Sequence, residues 1–251
     1  MNLDLTGKVV LVTGASRGIG YAITSYLLNS GATVAAHYNN NGESLMELKE
    51  KYSHCYAFGA NLSDSEECIQ LFQKVKNQLG KVDVLINNAG VALSSELEKD
   101  TNEWISDWDF TFSVNMKAVG LLCREAINHF GEKKDGIIIN ISSRAAFRGD
   151  TADFLAYAAS KGGVVALTRS IARAFGKKGI TAFNIAPGFV KTDMAQQFID
   201  EYGEEFALSD ISLNKLTEPN DIAPLVVFLS SGMAKHATGG TFDVNAASYV
   251  H

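Results

Sequence analysis

The stretch Val9-Val10-Leu11-Val12-Thr13-Gly14-Ala15-Ser16-Arg17-Gly18-Ile19-Gly20 decides the fold. Its first four residues are apolar without a break, which is how a strand buried on both faces reads. Its last eight carry glycines at a G-x3-G-x-G spacing, and a helical pattern begins there, with Ile19, Ile23, Tyr26 and Leu27 on one face. A buried strand, a glycine turn and an amphipathic helix form the opening half of a strand–helix–strand unit.

That alternation continues outward along the chain. Further apolar runs fall at Thr33–Ala36, Tyr56–Phe58, Val82–Ile86, Gly136–Ile141, Ile180–Ile185 and Thr241–Val244. Helical spacing lies between them, as in Cys68, Ile69, Leu71, Phe72, Val75 and Leu79, or Val165, Leu167, Ile171 and Phe175. The pattern predicts an α/β fold: a parallel sheet with helices on both faces, built as one domain over residues 1–251. Only residues 188–229 lack a strand signal for long, and there the reading places a substrate lid with Phe189, Met194, Phe198 and Phe206 as its apolar residues. The acidic group Asp200, Glu201, Glu204 and Glu205 reads as a solvated helix face. Trp104 and Trp108 read as packing a long helix against the sheet.

Composition narrows the partners. The chain has 251 residues but 3 prolines, too few for a Pro-rich linker between domains. Lys and Arg number 22 against 28 Asp and Glu, and the resulting charge of −6 argues against nucleic acid. Cys55, Cys68 and Cys123 are too sparse for a disulfide framework or a zinc cluster and read as buried thiols. His54, His129 and His236 show no metal spacing, so no metal is expected and they read as surface or capping residues. No basic leader or membrane-length apolar segment is visible, and a cytoplasmic protein is expected.

The glycine turn reads as a dinucleotide site. Gly14 turns the chain off the strand, Gly18 clears a path for a pyrophosphate, and Gly20 lets the helix approach the sheet. The helix N-terminus then faces the anion. About 20 residues on, an acid usually bonds the ribose of NAD. Here the sequence reads His37-Tyr38-Asn39-Asn40-Asn41, with no carboxylate. Arg17 can meet a 2′-phosphate with charge-assisted hydrogen bonds. NADP(H) is therefore expected, with NAD(H) as the alternative.

The second half carries reactive groups. Tyr157 and Lys161 are spaced i, i+4, on one face of a helix. A phenol is a poor acid–base group near neutral pH. A nearby ammonium favours the phenolate, so proton exchange with a carbonyl or alcohol oxygen becomes feasible. Upstream, two strands end in Asn87-Asn88-Ala89-Gly90 and Asn140-Ile141-Ser142-Ser143, and a later one in Ala186-Pro187-Gly188. In open α/β sheets those ends line the ligand crevice.

With Thr13–Gly20, Asn87–Gly90, Asn115, Ser143, Tyr157, Lys161, Pro187-Gly188 and Thr192 in this order, the sequence resembles the short-chain dehydrogenases/reductases of about 250 residues, and among them the 3-oxoacyl-acyl-carrier-protein reductases. The resemblance implies a Rossmann-type, doubly wound, seven-stranded parallel sheet in three α/β/α layers. It implies carbonyl reduction or its reverse, on an acyl-carrier-linked or small carbonyl substrate, in a homotetramer or homodimer. It makes Tyr157 the general acid and gives Lys161 the nicotinamide ribose. Ser143 would hold the substrate oxygen, with Ser142 as the alternative, and Asn115 would hold a relay water. Cofactor contacts would come from Gly14, Ser16, Arg17, Gly18, Ile19, Gly20, Tyr38 and Asn39, then Asn61, Leu62, Asn88, Ala89 and Gly90. Tyr157, Lys161, Pro187, Gly188, Val190 and Thr192 would complete them. Lys134 and Lys178 would be the residues that dock an acyl carrier.

Overall fold

The computed structural model describes residues 3–192 and 203–250, without the side chains of Glu204 and Phe206. Met194, Phe198, Asp200 and Glu201 lie outside the described residues, as do the side chains of Glu204 and Phe206.

The first half runs β1 (Val9–Val12), α1 (Gly18–Asn29), β2 (Thr33–Tyr38), α2 (Glu43–Lys51), β3 (Cys55–Gly59), α3 (Ser65–Leu79) and β4 (Val84–Asn87). Then come α4 (Thr101–Phe112), a π-helical turn (Ser113–Lys117), α5 (Ala118–Lys133), β5 (Gly136–Ile141), the short α6 (Ala145–Arg148) and α7 (Leu155–Phe175). The chain closes with β6 (Ile180–Pro187), α8 (Glu204–Ser209), α9 (Pro219–Ser230) and β7 (Thr241–Val244). The strands form one seven-stranded sheet in the order β3-β2-β1-β4-β5-β6-β7. Every pairing is parallel.

Side-chain alternation along each strand feeds two cores. Val10, Val12, Val34 and Ile86 pack with Ile23 and Leu27 of α1, Leu45 of α2, and Ile222 and Val226 of α9. Leu11, Ala35, Leu85 and Ile138 point the other way, onto Phe72 of α3, Leu122 and Phe130 of α5, and Ile171 of α7. Local signals end the helices as the sequence prescribes. Asp64 accepts from the N–H groups of Glu66 and Glu67 at the start of α3, and Gly80, in the left-handed region, ends it.

Three expectations change. Trp104 and Trp108 do not pack a helix onto the sheet: in α4 only Thr111 is buried. Their i, i+4 spacing instead stacks the rings along the helix, at 4.9 Å between Trp104 and Trp108 and 5.4 Å between Trp108 and Phe112. His129 is buried rather than at the surface, its Nε2 3.2 Å from the N–H of Val82. Within the stretch 188–229, Pro219–Ser230 forms a helix that buries Ile222, Val226 and Leu229.

Lys134 and Lys178 sit just before β5 and β6, at the N-terminal edge of the sheet. The reactive residues lie at the other edge, a six-residue strand away, or about 20 Å at ~3.3 Å per residue.

The chain leaves β1 toward β2 and returns on β1's other side at β4, so the C-terminal ends of β1 and β4 form the crevice of the sheet. Gly20 sets how closely α1 approaches it. A Cβ there would lie 2.0 Å from the Gly14 carbonyl oxygen. Gly20→Ala should therefore destabilise the chain by about 3 kcal/mol, the upper end for overpacking. A melting temperature within 2 °C of the parent in calorimetry would contradict this.

Candidate active site

The glycine turn is built by the end of β4. Thr13 Oγ1 accepts from the N–H groups of Asn88 (2.9 Å) and Ala89 (3.0 Å). The Asn88 amide returns two bonds, to the carbonyls of Thr13 (2.9 Å) and Gly14 (3.1 Å). Gly14 takes φ +63°, open to glycine at no steric cost, and its Cβ would meet Ala89 Cα at 2.9 Å. His37 finishes the turn from β2. It is fully buried, its Nδ1 accepts from the Gly14 N–H at 3.1 Å, and its Nε2 lies 2.9 Å from the Ala60 carbonyl. Accepting at Nδ1 leaves the proton on Nε2, and burial lowers the His37 pKa, so the ring stays neutral. The sequence offered only a missing carboxylate here; that His37 would brace the turn is visible only when β2 and β3 pair.

In front of α1 lies a groove of about 440 Å3. Gly14, Ser16, Arg17, Gly18 and Ile19 form its floor; Asn39, Asn61, Leu62, Asn88, Ala89 and Gly90 line its walls. Among the described residues its lining holds one arginine and no carboxylate. Asn40, Asn41 and Ser63 line it too, though the sequence reading gave them no role. The groove fits a dinucleotide: the first turn of a 12-residue helix opens into it, and a Cβ at Gly14 would close on Ala89. Two expected contacts stand apart. Gly20 is a packing position, as above. The Tyr38 ring packs between Gly42 and Gly59 and does not line the groove.

Ile19, Asn88, Gly90 and Thr192 are shared with a second cavity of about 520 Å3. There Ser142, Ser143, Tyr157, Lys161, Pro187, Gly188 and Val190 come together. Lys161 is buried and donates to the Ile141 carbonyl at 3.1 Å, with Nζ 5.7 Å from the Tyr157 ring centroid. Ser143 lies beside the Tyr157 phenol and pulls its pKa down. Ser142 is directed elsewhere: it donates to the Ile185 carbonyl and accepts from Asn184. Of the two serines, Ser143 is therefore the one on the tyrosine.

Asn115 lines neither cavity. It sits in the π-helical turn, buried, and bridges the backbone of Val91, accepting from its N–H and donating to its carbonyl, both at 2.8 Å. A third bond runs to Ser160 Oγ at 3.1 Å. A Cβ on Gly90 would stand 3.1 Å from Lys161 Nζ and 3.2 Å from Asn115 Oδ1, so that glycine is what lets the two side chains approach.

The electrostatics differ from the simple Tyr–Lys expectation. Burial pushes the Tyr157 phenol above its ordinary value, and Asp150 adds to this; Ser143 and Arg144 pull the other way. Burial also draws the Lys161 ammonium down from 10.5 to about 8. The lysine thus carries a charge the fold disfavours. Arg144, Arg148, Asp150 and Asp210 line the same cavity, unnoticed in the sequence because none falls at a motif position.

Because the folded chain holds the Lys161 proton less tightly than the unfolded chain, the contribution of this lysine to stability rises with pH between about 8 and 10.5. At ~1.4 kcal/mol per pKa unit, that rise is about 3 kcal/mol. In denaturant melts, the cofactor-free protein should gain that much stability relative to Lys161→Met over this range, and Lys161→Met should be the more stable form at pH 7. Parallel pH profiles for the two proteins would refute this.

Residues 8–203 match the short chain dehydrogenase family. Over 247 residues the sequence is 36% identical to the 3-oxoacyl-[acyl-carrier-protein] reductase FabG of Staphylococcus aureus, covering 97% of this chain and 98% of that one. Among solved structures, a blue fluorescent protein from a metagenomic library, in complex with NADPH, aligns at TM-score 0.88 and 35% identity over the whole of both chains. A 3-ketoacyl-(acyl-carrier-protein) reductase from Brucella melitensis, complexed with NADH, aligns at TM-score 0.89 and 26% identity, covering 98% of this chain and all of the other. The glycine turn braced at the β1–β4 crevice, the serine on the tyrosine and the buried lysine beside it agree with these likenesses: the chain belongs to the short chain dehydrogenase family of oxidoreductases.

Proposed function

We propose that this chain transfers a hydride between NADP(H) and a carbonyl or alcohol carbon, with Ser143, Tyr157 and Lys161 as its catalytic residues. The observation that carries this is their convergence at the end of β5, in a cavity continuous with the groove before α1. When bound, the nicotinamide gives or takes the hydride. Ser143 donates a hydrogen bond to the substrate oxygen, and in reduction Tyr157 passes its proton to that oxygen. A phenol whose pKa is held high by burial enters this step protonated, as a general acid must. Lys161 holds the cofactor ribose and brings positive charge beside the ring; Asn115 fixes the Gly90–Val91 backbone and holds the relay water.

Arg17, with no acid in the groove lining, supports NADP(H) over NAD(H). Two substrate classes fit. The names of the relatives support a 3-oxoacyl group on an acyl carrier protein. A carrier docked at Lys134 and Lys178 would act across the length of the sheet. The charged wall of the 520 Å3 cavity supports the other class, a small ketone, sugar or polyol. Residues 188–190, Thr192, Ala207, Ser209 and Asp210 line that cavity and form part of a substrate lid within one domain. A homotetramer or homodimer is the assembly we infer, with exposed Ile105 and Phe110 of α4 on one contact face.

Tyr157→Phe should cut turnover 10²-fold or more, the lower bound for losing a general acid, while NADPH binding in a fluorescence titration stays within threefold. Near-parental turnover would overturn the assignment. Arg17→Ala should raise the KM for NADPH 10-fold or more and leave that for NADH nearly unchanged, since a charge-assisted hydrogen bond contributes about 1.5–3 kcal/mol. Equal effects on both cofactors would point to NAD(H). A screen of an acetoacetyl-carrier thioester against free ketones and sugars, with each cofactor, separates the substrate classes. Tight NADPH binding without turnover of any of them would contradict the enzyme reading.

A further inference from the structure

The charged wall of the substrate cavity is unlike the rest of its lining. Arg144 follows Ser143 directly in the chain, and its backbone N–H is held by the Pro187 carbonyl at 2.9 Å. Its guanidinium is largely buried, 15% exposed, with Nη1 2.6 Å from Asp210 Oδ2. That contact is an ion pair without hydrogen-bond alignment: Nη1 has no hydrogen-bond partner among the described residues. Arg148, one turn on, sets its Nη1 2.9 Å from both carboxylate oxygens of Asp210 and 3.2 Å from the Ser248 carbonyl. Asp210, at the end of α8, is thus a single carboxylate between two guanidiniums, on the wall facing Ser143 and Tyr157. Asp150 also lines the cavity, but it forms no ion pair within 4.0 Å among the described residues, and burial favours its neutral form.

Two guanidiniums gathered on one carboxylate in the cavity of Ser143 and Tyr157 are suited to a planar anion. We propose that Arg144 and Arg148 form a carboxylate subsite, so that the substrate is a small oxo acid, or the matching hydroxy acid, with Asp210 occupying that subsite until the substrate's own carboxylate takes its place. This rests on the reductase reading and narrows it to the smaller of the two substrate classes. The apolar Phe154, Phe189 and Ala207 on the remaining wall leave room for a short alkyl chain.

The test uses acetoacetate and its methyl ester, which share the ketone and differ in charge. With NADPH, the parent protein should prefer the acid by 10-fold or more in kcat/KM. Arg144→Gln and Arg148→Gln should each lower that preference 10-fold or more, and Arg144→Lys should recover part of it. Asp210→Asn, which removes the internal competitor, should lower the KM for the acid. An Asp210→Asn variant in which KM rises equally for acid and ester would mean that the three residues only latch α8 to the cleft, and would overturn the subsite. Turnover of the ester but not the acid would overturn it while leaving the reductase reading intact. If neither compound turns over, calorimetric binding of malonate to the NADP+-loaded protein still decides. Binding that Arg144→Gln abolishes supports the subsite; no binding to the parent overturns it.

Discussion

The reciprocal clamp between Thr13 and Asn88 is the contact on which the site depends. It joins the ends of β1 and β4, the two strands between which the sheet reverses its winding. Parallel strands offer no hairpin to hold their ends together, so the crevice between them needs its own fastening. Here four hydrogen bonds supply it, satisfying the turn's carbonyls and fixing where the N-terminus of α1 points. His37 braces the same turn from β2, and Asn115 does the equivalent for Val91. The groove is therefore outlined by backbone held from behind, and its walls can stay polar and open.

The cavity that holds Lys161 and Tyr157 shows the cost of placing charge in such a frame. Lys161 is buried with one carbonyl for a partner, and its proton is held less firmly than in water. A fold selected for stability alone would put an apolar residue there. The same burial favours the protonated form of Tyr157, so one low-dielectric pocket sets both groups: it holds the phenol's proton more firmly and the ammonium's less firmly than water would.

Much of this was legible in the residues. The continuous apolar runs announce strands covered on both faces, and all seven expected runs coincide with strands. The glycines at 14, 18 and 20, the Asn87–Gly90 turn and the Tyr157/Lys161 pair could be placed because each has a local rule: a spacing, a turn or a helix face. Trp104 and Trp108 were misread because a helical stripe states only that its residues share a face, not what that face meets. His129 was misread because its partner, Val82, is 47 residues away. Tyr38, which the resemblance counts among the cofactor contacts, packs its ring between Gly42 and Gly59 instead, a contact that forms only when β2 and β3 pair.

The sequence by itself determined the order of elements, the parallel sheet, the glycine turn and the pairing of Tyr157 with Lys161 on one helix face, since these follow from periodicity and short-range backbone geometry. Only the tertiary structure decided which of Ser142 and Ser143 faces the tyrosine, that Asn115 serves the backbone beside Lys161, that Lys134 and Lys178 lie at the far edge, and that Arg144, Arg148 and Asp210 meet on the wall of the cavity that holds Tyr157. Those outcomes depend on contacts between segments far apart in the chain, such as the 62 residues from Arg148 to Asp210. No periodicity links residues at that separation; the fold sets Asp210, at the end of α8, against both arginines.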